Sequence, residues 1–302
     1  YNNSATYLYD DVNNDGIVET TADIRNQLRK NRQTRDEYEG EIEYNEPLKD
    51  SLNLRIGLEY ALKQSVDDRD GFNFNEVTGT FSERNELITN YLSSNESRVN
   101  PSAGINIQKS KYSLTLMGGT SIINFRNYGA YMGEDYRVNK NYMLPTVNGH
   151  FRYRLTKAQS VYINYNYDVT LPRPEQILPI EDRSRPLYTI IGNANLNPNK
   201  THRTYMGLNS YDFATKSGYN IYAGAGFDES AIVDYTTIED NARQTTSYRN
   251  VSGTFNSWFG GSWNKMIKTD GAHKYRLNLG LNGGYDISKG FVNEQRYEAE
   301  GY

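Results

Sequence analysis

Residues Ser160–Lys200 read SVYINYNYDVTLPRPEQILPIEDRSRPLYTIIGNANLNPNK, and this stretch decides the fold. It opens with strict alternation, so successive side chains face opposite sides of a strand. One parity is apolar or aromatic: Val161, Ile163, Tyr165 and Tyr167. The alternation ends at Pro172 and Pro174, which lack the backbone donors that a central strand needs. The stretch therefore predicts a strand that leads into a long loop shaped by proline.

The composition of the whole chain favours strands and turns. Among 302 residues, 27 are tyrosine, 25 glycine and 8 proline, while only 36% are hydrophobic. Tyrosine has an apolar ring and a polar tip, which suits a surface between hydrocarbon and water. An extracellular β-protein that pairs tyrosines across strands would have the same composition.

Several classes of protein are disfavoured by the same numbers. The absence of cysteine argues against a disulfide scaffold and against zinc–thiolate sites. A net charge of −4 gives no electrostatic footprint for nucleic acid. No apolar run approaches the roughly 18–20 residues of a membrane helix. The absence of a long apolar run does not exclude a transmembrane β-barrel, because only alternate residues of its strands contact lipid.

A second alternating pair of runs shows how charge is arranged on a predicted strand face. Four carboxylates share one parity: Glu37, Glu39, Glu41 and Glu43. Such a row cannot enter a dry core, because desolvating the charges would cost too much. After a turn, the next run places leucine, isoleucine and tyrosine on one face and Arg55 and Lys63 on the other. We expect these two cations to pair with the glutamates across the strands.

The connections between predicted strands alternate between short and long. Short turns are predicted near residues 47–51, 109–111, 156–159 and 215–218, and long polar loops at Asp67–Glu96, Asn127–Asn141 and Pro172–Pro198. A further strand is predicted over Tyr248–Met266. In an up-and-down antiparallel sheet, alternate connections lie at opposite ends, so this asymmetry indicates an all-β transmembrane barrel or part of one. We divide the chain into an irregular segment, residues 1–35, and barrel strands with extracellular loops, residues 36–302.

The irregular segment contains the first half of a calcium loop. Oxygen-bearing residues at alternate positions precede a glycine that permits a sharp turn. The predicted ligands are Asp11, Asn13, Asp15, the Ile17 carbonyl and Asp23. The twelfth loop position is Ala22, where an EF-hand requires a bidentate carboxylate, and an Asn/Asp/Gly turn without metal is the alternative. Calcium is thus a hypothesis, and no other cofactor is predicted.

The long loop after the quoted strand resembles a known family. It reads PEQILPIEDRSRPLYTIIGNANLNP and resembles the signature of TonB-dependent receptor barrels, more narrowly the Bacteroidetes outer-membrane β-barrel family related to them. The matching positions are Pro174, Leu178, Pro179, Asp182, Pro186, Gly192, Asn193, Leu196 and Pro198. The tyrosine-rich strands and the asymmetry of the connections extend the resemblance over most of residues 36–302.

The resemblance implies a location in the bacterial outer membrane, with lipid around the barrel, and a function in uptake. Such receptors have about 22 strands around an N-terminal plug. They bind a scarce nutrient outside the cell and pass it inward with energy from a TonB complex, in some cases with a surface lipoprotein partner. This sequence shows no plug or energy-coupling segment and only about ten to twelve strands. We therefore expect a fragment of a larger protein, a C-terminal barrel portion.

Two alternative functions are carried forward from the residues. The first is a soluble, calcium-stabilised β-protein of the cell surface, an adhesin or binding module, whose apolar parity would be buried between two sheets. The second is an outer-membrane hydrolase with His150 as general base; the other histidines, His202 and His273, lie on separate runs. No catalytic residue is assigned, and a non-enzyme is the prediction. Trp258 and Trp263 are candidates for an aromatic girdle at the membrane interface, and loop aromatics that stack on a sugar or peptide ligand are the alternative.

Overall fold

A computed structural model describes residues 2–10, 19–185, 187–239, 242–268 and 273–302. Nearly all of these residues lie in strands. The strands are β1 (Asn2–Asp10), β2 (Glu19–Lys49), β3 (Leu52–Asn75), β4 (Thr80–Arg84), β5 (Asn90–Gln108), β6 (Tyr112–Tyr131), β7 (Glu134–Arg154), β8 (Gln159–Thr170), β9 (Glu181–Arg185), β10 (Tyr188–Ile191), β11 (Asn199–Asp212), β12 (Ser217–Ile238), β13 (Gln244–Val251), β14 (Thr254–Lys268), β15 (Lys274–Val292) and β16 (Gln295–Gly301). The helical elements are a 3₁₀ turn (Glu86–Ile88) and the one-turn helix α1 (Pro174–Ile177). No helix of the described residues is long and apolar enough to span a membrane.

All described strands belong to one sheet with mostly antiparallel, sequential pairing. The order is β1-β2-β3-β5-β6-β7-β8-β11-β12. Residues 231–238 of β12 then pair with β13, residues 217–228 pair with β14, and β14 pairs with β15. Parallel pairing occurs where β10 joins β13 and where β12 meets β15. Among the described strands, those at the two ends of the sheet do not pair with each other, so the sheet is not closed. The predicted fold class, an antiparallel up-and-down barrel or part of one, is confirmed.

The two faces of the sheet differ as the alternation predicted. We call the face covered by the long loop of residues 171–198 the inner face, and the opposite one the outer face. The outer face exposes large apolar side chains at successive levels of neighbouring strands, among them Ile42 at 75% and Leu281 at 74% exposed. Further outer residues are Ile56, Leu58, Leu116, Met143, Val147, Ile163, Met206, Ile221, Phe259, Leu277 and Leu279. A soluble sandwich would bury this parity between two sheets, so the adhesin alternative is wrong on this point.

The connections confirm the predicted asymmetry at most positions and correct it at one. Short connections lie at residues 50–51, 109–111, 155–158 and 213–216, while the opposite end carries residues 76–89 and 171–198. The loop predicted at Asn127–Asn141 is wrong: β6 and β7 continue through it and turn at Met132 and Gly133. Both turn residues have positive φ, 51° and 81°, as a two-residue hairpin turn of this hand requires.

Two other polar segments are also more regular than predicted. The first part of the predicted loop Asp67–Glu96 continues β3 and pairs with β4, and its end begins β5. The predicted strand Tyr248–Met266 is two strands, β13 and β14, separated by Ser252 and Gly253, where Gly253 has φ of +78°. Within the segment predicted as irregular, residues 2–10 pair with residues 19–27, while 11–18 lie outside the described residues. The domain division at residue 36 stays a prediction.

Candidate functional site

The long loop folds back over the inner face of the sheet as a lid, residues 171–198. Pro174 begins α1, where its missing N–H needs no partner. The strands β9 and β10 then form a small hairpin that joins the sheet through β13. Ile177, Leu178 and Ile180 pack against wall residues of the three long strands β5, β6 and β7. The wall residues are Leu92, Ile123, Phe125, Tyr131 and Val138.

The motif residues build the interior of this lid. Leu178 is fully buried, and Leu196 and Pro198 are also buried. Gly192 lies so close to the backbone of Leu178 that no side chain fits between them. Pro179 directly follows Leu178 and ends the helical turn. The lid is therefore a packed structure with its own core.

Polar motif residues fix the lid chain at both ends of its hairpin. The Asp182 carboxylate accepts a hydrogen bond of 2.8 Å from the Ser184 N–H. The Asn193 side chain donates to the Tyr248 carbonyl of β13 at 2.8 Å, and its oxygen accepts from the Asn195 N–H at 2.9 Å. Pro186 lies outside the described residues. These contacts give the described motif residues a positioning role, which sequence spacing alone did not reveal.

Two residues of the long strands, Tyr131 of β6 and Lys140 of β7, hydrogen-bond to the lid. The Tyr131 hydroxyl donates to the Leu87 carbonyl at 3.1 Å and accepts from the Arg183 N–H at 3.4 Å, so it links the 3₁₀ turn to β9. The Lys140 ammonium donates to the Leu196 carbonyl at 2.7 Å. Burial raises the pKa of the Tyr131 phenol and lowers the pKa of the Lys140 ammonium. Both groups therefore titrate under the influence of the closed lid.

We predict that the stabilisation of the lid by the hydrogen bonds of the Tyr131 hydroxyl is lost at alkaline pH. An unfolded tyrosine ionises near pH 10, whereas burial raises the folded pKa of Tyr131. Its stabilisation is thus present below about pH 10 and is lost as pH rises through the folded pKa. Proteolysis of residues 171–198 should accelerate across this range in the wild type. Tyr131→Phe should make lid opening about 1 kcal/mol easier and so raise the rate of proteolysis at neutral pH. The variant should also lack the part of the alkaline increase that comes from ionisation of Tyr131. Identical pH profiles for the two proteins would contradict the assignment.

A cleft opens between the lid and the inner face of β2, β3 and β5. Its volume is about 670 Å³, and its lining includes five cationic side chains and three carboxylates. These are Arg35, Lys63, Arg69, Arg98, Arg173, Asp67, Glu96 and Glu175. A second lobe of about 440 Å³ shares Arg98 and Thr170 with the first and reaches Ser121, Asp168 and Arg203. The two lobes therefore form one polar cleft beside the lid.

Most charges in the cleft are paired, and two polar groups are not. Arg69 contacts Asp67 at 2.5 Å, Arg98 contacts Glu96 at 2.6 Å and Arg173 contacts Glu175 at 3.2 Å. Arg35 has no carboxylate within 4.0 Å among the described residues. The Ser121 hydroxyl is buried, 1% exposed as a residue, and has no hydrogen-bond partner there either. Arg35 is therefore able to pair with a polar ligand, whereas the Ser121 hydroxyl is too deeply buried to contact one.

Below the cleft, the glutamate row lines the inner face as predicted. Arg55 pairs with Glu43, and Lys63 pairs with Glu37 and lies 4.0 Å from Glu39. The predicted cross-strand partners are therefore confirmed.

The other predicted site residues are not brought together. Asp11, Asn13 and Asp15 lie outside the described residues, as does the side chain of Asp23, so calcium binding stays a prediction. His150 contacts Asn164 at 2.6 Å on the inner face. Trp263 is on the outer face near the short-turn end, but the girdle assignment of Trp258 is wrong, because it pairs with Gly224 on the inner face. Groups of three or more metal-ligating side chains are absent from the described part of the chain.

Aromatic residues on the outer face mark a boundary near the lid. Tyr165 and Tyr167 contact His202, which in turn lies 6.2 Å from Phe227 between ring centroids. They form a row across β8, β11 and β12 above the exposed aliphatic band, an arrangement typical of a membrane interface. The sequence model of the outer membrane protein beta-barrel family matches residues 1–302. The chain belongs to this family. The exposed aliphatic band of this outer-membrane barrel is therefore its lipid-contacting surface.

Three solved structures align with most of the chain at low identity and with TM-scores below 0.5. The alcaligin outer membrane receptor FauA from Bordetella pertussis matches 90% of the chain with 11% identity and a TM-score of 0.49. The FpvAI–pyocin S2 complex matches 98% with 10% identity and a TM-score of 0.45, and the siderophore receptor PirA from Pseudomonas aeruginosa 85% with 8% and 0.35. The chain spans 48%, 44% and 59% of those three chains respectively. No curated protein sequence matches it.

Proposed function

We propose that this outer-membrane barrel is the receptor portion of a TonB-dependent uptake protein, in which the cleft beside the lid binds a nutrient from outside the cell. The observation that carries the proposal is the polar cleft of about 670 Å³ on the inner face, bounded by an ordered lid. A cleft of this volume is in the range of small-molecule sites. The cleft lies at the long-loop end of the sheet, which is the end that such a barrel presents to the medium.

The chemistry of the cleft supports ligand binding rather than catalysis. Its charged pairs offer fixed donors and acceptors, while Arg35 adds a cation with no carboxylate within 4.0 Å among the described residues. His150 has an asparagine as its hydrogen-bond partner instead of the acid that would orient a catalytic base. The second lobe extends from the lid along the inner face. A ligand bound under the lid would move along this lobe toward the short-turn end.

The remaining elements of the proposal follow from the resemblance. The inner face would surround a plug, and a TonB complex would supply energy, with a surface lipoprotein as a further partner. Calcium held by Asp11, Asn13, Asp15 and Asp23 stays part of the proposal. A melting temperature that does not change in chelator would remove calcium from it.

The proposal is tested by solute depletion from a defined medium. Cells that express the full-length protein should remove at least one solute, detected by mass spectrometry, that cells lacking it leave behind. Ser65→Trp fills the cleft from β3 and should abolish the removal. Gly118→Ala, which adds a methyl group to open space on the outer face, should not. A protonophore should stop uptake but leave surface binding.

Two outcomes would count against the receptor assignment. Removal that continues in Ser65→Trp cells would show that the cleft is not the binding site. Removal that a protonophore leaves unchanged would exclude energy coupling and favour a passive pore.

A further inference from the structure

The outer face of β6 and β7 continues beyond the lipid-contacting band with polar side chains. The band of β6 ends at Ile122, and six residues beyond it form three cross-strand pairs toward the lid end. They are Asn124 and Asn141, Arg126 and Asn139, and Tyr128 and Arg137. We call these six residues the polar collar. On β8, β11 and β12 the band is followed instead by Tyr167, His202 and Phe227, so the polar collar is local to its own strands.

The height of the polar collar follows from strand geometry. Residues 112–122 of β6 match the roughly 9–11 residues with which a tilted strand crosses the hydrocarbon. At about 3.3 Å per residue and a tilt of about 45°, Asn124 lies about 5 Å and Arg126 about 9 Å above Ile122. The headgroup layer extends about 5–8 Å beyond the hydrocarbon. The polar collar therefore spans the layer of lipid headgroups at the external end of the barrel.

The central residue of the polar collar is a cation without a counterion. Arg126 is exposed and has no carboxylate within 4.0 Å among the described residues. At its own level it is flanked by Asn139 on β7 and Asn95 on β5. An uncompensated cation at a membrane surface attracts an anionic headgroup.

The carboxylates around the polar collar do not neutralise Arg126. Asp135 accepts a hydrogen bond from the Tyr128 hydroxyl at 2.8 Å and lies 3.9 Å from the Arg137 guanidinium. In the other direction, the level of Arg126 continues through Asn95 and Gln64 before it reaches Asp36, three strands away on β2. The positive charge therefore remains exposed on the outer face.

Amide side chains next to Arg126 add donors and acceptors for a polyhydroxylated group. The Asn124 nitrogen donates to the Asn141 oxygen at 2.7 Å. In the described part of the chain, no further hydrogen bond occupies the Asn124 oxygen or the Asn141 nitrogen. An amide oxygen accepts from a sugar hydroxyl, and an amide nitrogen donates to one. A guanidinium pairs with phosphate through two parallel hydrogen bonds.

We infer that the polar collar binds the phosphorylated sugar headgroup of a glycolipid in the outer leaflet. The phosphate pairs with Arg126, and the sugar hydroxyls pair with the amides around it. The acyl chains lie along the apolar band directly below, where Met143 is 74% and Ile122 48% exposed. A simple phospholipid has the phosphate but lacks the sugar, so it would leave the amides without a ligand. This inference concerns the outer face and does not rest on the proposed receptor function.

Three lipids separate the contributions of phosphate and sugar. The purified full-length protein in detergent is titrated with diphosphoryl lipid A, with dephosphorylated lipid A and with phosphatidylglycerol. Bound lipid is counted by native mass spectrometry. We expect saturable binding of diphosphoryl lipid A, and binding about tenfold weaker or more for each of the other two.

Substitutions of arginine locate the binding surface. Arg126→Gln should weaken the binding of diphosphoryl lipid A about tenfold, in the range for loss of a charge-assisted hydrogen bond. Arg126→Lys should bind with intermediate affinity, because it keeps the charge but loses the planar fork. The melting temperature without lipid A should not change, since Arg126 is exposed. Arg154→Gln removes an exposed arginine from the inner face of β7 at the short-turn end, so it is the matched control and should bind like the parent.

Four results would overturn the inference. The first is the absence of saturable binding of diphosphoryl lipid A, and the second is equal binding of either of the other lipids. The third is unchanged binding by Arg126→Gln. The fourth is a dimer of the purified protein that Arg126→Gln dissociates, since the polar collar would then contact a second copy. The solute-depletion experiment uses the cleft on the opposite face, so none of these results decides the receptor proposal.

Discussion

Replacement of Gly192 by alanine should open the lid and leave the rest of the barrel folded. The new Cβ would lie 2.7 Å from the Leu178 carbonyl carbon and closer still to its oxygen. The backbone at Leu178 cannot move away easily. The Leu178 N–H is bonded to the Pro174 carbonyl at 2.9 Å, and the Leu178 side chain is fully buried in the lid core. We expect a cost of about 3 kcal/mol, the upper part of the range for overpacked sites.

Hydrogen exchange resolved along the chain measures this effect. Residues 171–198 should lose protection, because the lid opens as a local unit, while the long strands keep theirs. Gly118→Ala is the matched control, since its Cβ has no heavy atom within 4 Å. Unchanged protection of the lid in Gly192→Ala would show that the close approach of the two backbone segments does not stabilise it.

The lid also shows where sequence reasoning reached its limit. Alternation predicted which parity of β8 faces outward, because the outer face meets one medium along the whole strand. Inside the loop, Ile177, Leu178 and Ile180 follow neither a strand nor a helix period. Their burial depends on wall residues such as Phe125, which lie far away in the chain. The sequence therefore located the loop, but not the core beneath it.

The extended hairpin of β6 and β7 was missed for a related reason. Beyond the apolar band, the outward residues Asn124, Arg126 and Tyr128 are polar or amphipathic, so the outward parity resembles a loop. Backbone pairing continues regardless, because water satisfies the outward side chains. The turn at Met132 and Gly133 is not one of the common asparagine–glycine or aspartate–glycine signals.

The face on which each tryptophan lies depends on cross-strand register, which no single strand contains. Trp258 and Trp263 differ in parity, so only one of them can face outward, and the break at Ser252 and Gly253 decides which. The pairing of an aromatic ring with a glycine on the next strand is also invisible in one sequence. Local alternation was predictable for this reason, whereas the face of each tryptophan was not.

The largest effect on the barrel itself is expected for an arginine on the outer face. Leu281 lies midway along the outward residues of β15, between Tyr275 and Ile287, and is 74% exposed. Because this face contacts hydrocarbon, Leu281→Arg must place a cation near the middle of the bilayer. In barrels this costs about 2–4 kcal/mol at the midplane. We expect that loss in the free energy of unfolding, measured by denaturant titration of protein folded into lipid vesicles.

The neighbouring residue supplies the control. Asn282 follows Leu281 on the same strand but lies on the inner face, opposite Gly260. Asn282→Arg adds the same charge to a water-filled interior and should change the free energy by much less. If the outer face contacted water instead, Leu281→Arg would cost no more than Asn282→Arg, because an exposed leucine gains nothing from its position. The difference between these adjacent substitutions therefore measures which side of the sheet contacts lipid, and the inner position of the cleft and the lid depends on that result.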